Sequence, residues 1–390
     1  MQFDTKAIHA CGPKANPDNA LNPPIYMTSA FTFDNTDKVD AVMSFKSDDY
    51  VYTRGNNPTL RLFEERMASL ENGVGAVAFA SGMAAISSVL FSLLRPGDNV
   101  LVHRTLYGSS YSVVTKVLPK YDIGYKIADL QKETELAALV DDHTRVIYFE
   151  SPSNPNLSVI DIKRVCAFAR PRGIKVVIDN TFATPYFQRP LELGADVVVH
   201  SATKYLCGHG DVVAGVAISR DMEYLQSLKF DYMCEFGGVL SPFNAWLLLR
   251  GLKTLGLRMR QHEFNAKAVA TYLKKHPKVS HVYYPGLEDS DCHDVAASQM
   301  SGFGAIISFE VKGGLEAAKR VVNATLLFKL AVSLGDCETL IQLPAAMTHR
   351  GYDHERLKEF GLTESMIRIS VGLEDIDDIL SELNAILAQA

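Results

Sequence analysis

Three apolar, β-rich runs of this chain end in groups that can do chemistry. KVVID closes on Asp179, ADVVVH leads into Ser201-Ala202-Thr203-Lys204, and AVAFA leads into Ser81-Gly82-Met83 just ahead of a helical stretch. A helix N-terminus presents unpaired N–H groups and a partial positive charge, so a hydroxyl and a glycine placed there suit a phosphate. The plainer reading of Ser81 is a helix N-cap. A lone lysine is ordinarily a surface residue. Lys204 differs: it follows an apolar run, has hydroxyl neighbours and precedes the loop Cys207-Gly208-His209-Gly210-Asp211. An amine kept out of water in such a place can be neutral, the state that Schiff-base chemistry requires. Asp179, about 25 residues before Lys204, lies one βα unit away. It can cap a turn, or hold a pyridinium nitrogen protonated so that the ring accepts electrons. Amine, phosphate cradle and carboxylate together are what pyridoxal 5′-phosphate (PLP) needs.

Those groups require a sheet to carry them. Short Val- and Ile-rich runs at Ala76–Ala80, Asn99–Val102, Thr144–Phe149, Lys175–Ile178 and Asp196–His200 read as strands, with Val212–Ile218 as a further candidate. Amphipathic segments such as Ile162–Ala169 separate them, which predicts a mostly parallel sheet covered on both faces, with ligands at the carboxyl ends of its strands. Residues 1–59 form an arm punctuated by Pro13, Pro17, Pro23, Pro24 and Pro58; its many aromatic residues predict that it lies on another surface, such as a neighbouring subunit. The large α/β domain is expected over 60–250 and a smaller α+β domain over 251–390. In the latter, Ala305–Val311 and Met366–Val371 read as strands, and Ile376, Ile379, Leu380, Leu383, Ile386 and Leu387 share one helical face.

Composition narrows the class. A chain of 390 residues with 47% hydrophobic and 22% charged residues suits a globular enzyme of two domains. A net charge of -6, with no basic tract, argues against nucleic acid or an anionic membrane as partner. The uncharged run Val74–Leu94 is long enough to span a bilayer. Its two glycines and its serines read better as strand, turn and buried helix. Six scattered cysteines, Cys11, Cys166, Cys207, Cys234, Cys292 and Cys337, suit neither a zinc site nor a disulfide framework. With no apolar segment of signal-peptide type at the start, a cytoplasmic location is expected.

The stretch VVIDNTFATPYFQRPLELGADVVVHSATKYLCGHGDVVAG resembles the core of the Cys/Met-metabolism PLP enzymes: cystathionine γ-synthase, cystathionine β- and γ-lyases and methionine γ-lyase. YTRGNNPT at 52–59, FASGMAAI at 79–86, LYGSS at 106–110, ESPSNP at 150–155, LAVSLGDCETLIQLPAAMTH at 330–349 and MIRISVGLED at 366–375 extend the resemblance over the chain in family order. It implies fold type I, with a large, mostly parallel seven-stranded-type sheet and a smaller C-terminal domain. It also implies a homotetramer, a dimer of dimers with shared active sites. By the same resemblance Lys204 is the lysine that holds PLP, Asp179 faces the ring nitrogen, and Ser81, Gly82, Met83, Ser201 and Thr203 bind the phosphate. Tyr52 and Arg54 would reach a neighbour's phosphate, which gives the arm a role. Tyr107 would stack on the ring and move protons, while Asn154, Ser333 and Arg368 surround cofactor and substrate carboxylate.

Within the family, Val332 occupies a place where cystathionine enzymes commonly carry glutamate, so a small apolar thioether is favoured. The expectation is α,γ-elimination of L-methionine to methanethiol, 2-oxobutanoate and ammonia, with homocysteine as a further substrate. Ser109 departs from the cysteine usual in methionine γ-lyases. Cystathionine γ-lyase, desulfhydrase and γ-replacement activities therefore stay open. Other classes fit less well. Ser201 and Lys204 match SxxK of acyl enzymes, but SDN and KTG are missing from the chain. His200 and His209 lack the partners of a catalytic metal and read as core or loop histidines, so no metal is expected.

Overall fold

The computed structural model describes residues 1–10, 19–350, 352, 355, 357 and 360–390. Cys11, Pro13 and Pro17 of the arm lie outside them.

The arm is less irregular than its prolines suggest. It contains α1 (Phe3–His9) and α2 (Thr36–Met43). Ala7 of α1 is buried, whereas α2 buries nothing. Between them the arm is tied to its own subunit, with the Trp246 ring N–H donating to the Pro23 carbonyl at 3.1 Å and the Asn57 amide donating to the Tyr26 carbonyl at 2.9 Å. Asn57 also caps α3 (Pro58–Glu71), whose first position is the proline that such a place tolerates.

Seven strands form the main sheet: β1 (Gly75–Phe79), β2 (Asn99–His103), β3 (Gly124–Ala128), β4 (Thr144–Glu150), β5 (Lys175–Asp179), β6 (Val197–Ser201) and β7 (Gly215–Ser219). Their order is β1-β7-β6-β5-β4-β2-β3. The sheet is parallel from β6 across to β3, while β7 runs antiparallel to both β1 and β6. Every expected strand forms. The edge strand β3 was not anticipated, because an exposed edge carries polar residues such as Lys126 in place of an apolar run.

Alternate residues of the central strands serve two separate cores, as the two-residue period of a strand requires. Ile147, Phe149, Ile178 and Val198 pack on α3, on α5 (Ile162–Ala169) and on α6 (Pro242–Leu252). Val146, Tyr148, Val177, Val197 and Val199 face the opposite layer, which includes α4 (Gly82–Leu93). The uncharged run that begins at Val74 is thus β1, a turn and α4. Among the described residues no helix is long and apolar enough to cross a membrane.

Helix α7 (Leu255–Lys275) leads into the smaller sheet, ordered β10-β11-β12-β9-β8, with β8 (Val279–Tyr283), β9 (Ile306–Val311), β10 (Lys329–Leu330), β11 (Leu340–Gln342) and β12 (Met366–Ser370). Helices α8 (Gly314–Asn323) and α9 (Ile376–Leu387) cover it and bury Ile379, Leu383, Ile386 and Leu387, four of the six residues expected on the apolar face. Tyr352, Leu357 and Phe360 depart from a simple two-domain division. They leave this domain and join the core that surrounds α4.

Candidate active site

The site lies where β4, β5 and β6 end, facing α4 and the second sheet. Ser81 has extended backbone geometry and its hydroxyl accepts the Ala84 N–H at 3.0 Å, so it is a true N-cap. That role leaves the hydroxyl proton free for a ligand. A β-carbon on Gly82 would stand 2.8 Å from the Ser201 β-carbon, so glycine lets the tip of α4 sit directly on the end of β6. The Thr203 hydroxyl donates to the Ala214 carbonyl at 3.2 Å and accepts the Ala214 N–H at 3.0 Å, which fixes its direction.

Lys204 follows β6 by one short turn. Its amine donates to the Ser333 hydroxyl at 2.8 Å and is lowered to about 8, first by burial and then by the charge of Arg368. Ser333 itself has φ +94, a conformation L residues rarely adopt. Two contacts maintain it: the amine on its side chain and the Arg368 guanidinium on its carbonyl at 2.7 Å.

Arg368 comes from β12 and is 2% exposed. It donates to the Asn154 side-chain oxygen at 2.9 Å, and the Gln342 amide lies against it, accepting at 2.9 Å once its oxygen is turned toward the guanidinium. All these acceptors are neutral, and no described carboxylate forms an ion pair with it. A buried guanidinium held only by neutral groups is ready for an anion, and its planar fork suits a carboxylate.

Asp179 shows the opposite case. The Thr181 hydroxyl and N–H donate to one of its oxygens at 2.5 and 3.0 Å. Burial nevertheless pushes its carboxyl up, and no described cation pairs with it. It is a negative group in want of a positive partner. Beside it, Glu150 ends β4, is 5% exposed, and accepts the Tyr107 N–H at 2.5 Å. The residue before Tyr107 is gripped from the C-terminal side: the Tyr352 hydroxyl donates to the Leu106 carbonyl at 2.8 Å and accepts its N–H at 3.1 Å. Tyr107 projects between these holds, 38% exposed.

These groups line one cavity of about 310 Å³, within the range of small-molecule sites. Of the residues anticipated from sequence, Ser81, Gly82, Met83, Ser201, Thr203 and Lys204 line it along the sheet side. Tyr107, Asn154, Asp179, Val332, Ser333 and Arg368 complete the wall. Three do not reach it within the subunit. Ser109 lies on the helical turn behind Tyr107. Tyr52 is 49% exposed, and Arg54 donates to the Cys234 carbonyl at 3.1 Å.

Sequence reasoning passed over Glu150, Thr181, Gln342 and Tyr352. Glu150 carried the same signal as Asp179, a carboxylate at the end of an apolar strand, and Thr181 supports Asp179 from two residues away; Gln342 and Tyr352 gain their roles only through contacts distant in sequence. His200 is a core residue, bonded to Glu71 at 2.7 Å, and His209 bonds the Cys207 carbonyl at 2.7 Å. A second cleft, of about 390 Å³ beside β8, includes Lys274 and Asp289, which neutralise each other at 2.6 Å.

The profile of the "Cys/Met metabolism PLP-dependent enzyme" family matches residues 4–388. The L-methionine gamma-lyase of Pseudomonas putida is 47% identical, covering 99% of this chain and 97% of that protein. The cystathionine beta-lyase of Lactococcus lactis subsp. cremoris is 43% identical over 98% of each chain. A structure from Campylobacter jejuni, containing N′-pyridoxyl-lysine-5′-monophosphate, superposes with a TM-score of 0.96 at 32% identity over 100% of both chains. The chain belongs to the Cys/Met metabolism PLP-dependent enzymes. It is a PLP-dependent lyase of fold type I. The cavity fits that cofactor: it combines a partly deprotonated buried amine, a carboxyl with no cation in an ion pair among the described residues and the N-terminus of a 12-residue helix.

Proposed function

We propose that the chain cleaves L-methionine by α,γ-elimination, converting methionine and water to methanethiol, 2-oxobutanoate and ammonia, with homocysteine as a second substrate. The observation that carries this reading is the convergence of Lys204, Asp179 and the anion-ready Arg368 on one cavity. The tail end of that cavity presents the apolar Val332. Bound PLP supplies an electron sink for a carbanion beside the amino group. In this reading Lys204 is its covalent anchor and, once released, takes the α-proton. Its lowered amine suits both tasks near neutral pH. Asp179 keeps the ring nitrogen protonated. Ser81, Gly82, Met83, Ser201 and Thr203 hold the phosphate. Arg368, oriented by Asn154, Ser333 and Gln342, receives the substrate carboxylate, and the Tyr107 hydroxyl passes a proton to the departing sulfur.

The same reading gives the exposed arm its task. Tyr52 and Arg54 serve the phosphate of a neighbouring subunit in a homotetramer built from two dimers, each with shared sites. Five described cysteines are unpaired, which suits a reducing compartment such as the cytoplasm. Ser109 favours a second reading, cystathionine γ-lyase or a γ-replacing enzyme, since it stands where methionine γ-lyases usually have cysteine.

The test offers methionine, cystathionine, homocysteine and cysteine separately to the PLP-loaded protein and measures 2-oxo acid and volatile thiol. Methionine should give methanethiol fastest, and Lys204→Ala should give neither product. Faster turnover of cystathionine would transfer the assignment to the second reading.

A further inference from the structure

Glu150 is a buried carboxyl that the proposed reaction does not use. It stands opposite Asp179 in the parallel register of β4 and β5. Opposed residues of neighbouring strands point to the same face, so two carboxyl groups lie side by side where the cavity meets the sheet. Glu150 accepts the Tyr107 N–H at 2.5 Å, and the Asn154 backbone also bonds to it. One carboxyl group therefore ties the turn carrying Tyr107 and the loop carrying Asn154 to the same strand end.

The charged and titratable groups facing Glu150 are Asp179 from β5, Arg368 from β12, Tyr148 on its own strand and Tyr352 from the C-terminal segment. Burial, followed by the charge of Asp179, raises its carboxyl well above the usual range, while the two backbone bonds and Arg368 pull the other way. Two carboxylates side by side in a dry site cannot both stay ionised. Asp179 has the two Thr181 bonds and, in the reading above, a cationic ring nitrogen. Among the described residues Glu150 has no ion-pair partner, and Arg368, which acts on it only at longer range, is the group kept for the substrate carboxylate.

We propose that Glu150 is a positioning residue that works as a neutral carboxylic acid: its carbonyl oxygen fixes the Tyr107 amide and leaves the negative charge to Asp179. The proposal rests on the roles given above to Tyr107 and Asp179. Glutamine copies the neutral acid, with the same acceptor oxygen and no charge, whereas alanine removes the acceptor.

In the PLP-loaded enzyme, Glu150→Ala should lower kcat about tenfold, the worth of one well-placed hydrogen bond. KM and the cofactor's dissociation constant, from fluorescence titration, should move less than about threefold. Glu150→Gln should restore most of the lost kcat. The infrared difference spectrum between the wild-type holoenzyme and Glu150→Gln should contain the carbonyl stretch of a protonated carboxylic acid. The idea fails if glutamine loses as much as alanine, if alanine leaves kcat intact, or if the spectrum shows carboxylate bands instead. The spectrum needs no turnover and decides Glu150 even where the alanine variant does not fold. Wild-type protein that bound no PLP would instead refute the functional reading.

Discussion

Lys204 offers the sharpest quantitative test, because its environment fixes a number. Its amine is held at about 8, against 10.5 for an ordinary lysine. At pH 7 such an amine is neutral about 9% of the time, compared with about 0.03% for an unperturbed lysine, a gain of about 300-fold in the reactive form. Competitive acetylation of the cofactor-free protein, with Lys204 read by peptide mass spectrometry, measures that fraction directly. Between pH 7 and 9 the labelling of Lys204 should rise about tenfold and then level off, whereas exposed lysines rise about a hundredfold and keep climbing. Arg368→Gln removes the like charge and should move the inflection upward. It should still stay below 10.5, because burial is the larger cause. An inflection at 10 or above, or one indifferent to Arg368, would refute the reasoning.

The same shift has a consequence for stability, whose sign follows from proton counting. Between pH 8 and 10.5 the unfolded chain binds the proton that the folded one has shed, so stability rises with pH across that window. Below it both states are protonated and the folded state bears the full cost, about 3 kcal/mol for this difference. Lys204→Met removes that cost and forfeits the bond to Ser333, worth about 1 kcal/mol. Without cofactor, the variant should unfold at higher urea than wild type at pH 7. The advantage should shrink as the pH passes from 8 to 10.5.

Two further substitutions test the walls of the cavity. A β-carbon on Gly108 would overlap the Thr348 carbonyl oxygen, so Gly108→Ala should force the Tyr107 turn away from the C-terminal segment. It should cost about 1–3 kcal/mol of stability and lower kcat more than it raises KM, as thermal denaturation and steady-state kinetics will show. Val332→Glu places a carboxylate at the tail end of the cavity, where it can pair with a distal ammonium. The ratio of kcat/KM for cystathionine over methionine should rise at least about tenfold; an unchanged ratio removes Val332 from the specificity argument.

The arrangement also explains why a strained residue and two charges without an ion-pair partner among the described residues share one small region. Ser333, at φ +94, places its hydroxyl on Lys204 and its carbonyl on Arg368, so a single unfavourable conformation orients two functional groups. Among the described residues Arg368 has no anion and Asp179 no cation in an ion pair with it, and each is kept buried by the packing of its own strand. A substrate carboxylate and a protonated ring nitrogen would supply both partners. Preorganised polarity of this kind is the usual source of strong binding in a dry cleft.

The sequence alone determined the strands that are buried on both faces, because a continuous run of Val and Ile with a reactive residue at its end has few other uses. It therefore located Asp179, Ser201, Lys204 and the Ser81-Gly82 turn, all within a few residues of such runs, and the order of its motifs revealed the family. The edge strands β3 and β10 left no periodic signal, since exposed strands do not need apolar residues, and β11, buried but three residues long, is too short to show a period. The return of Tyr352 and Phe360 to the large domain, the grip on Leu106, the triple neutral support of Arg368 and the pairing of Glu150 with Asp179 depended on tertiary structure. Each joins residues far apart in the chain or on separate strands. Such contacts follow from how two sheets and their connections pack, and no local pattern of residues encodes that.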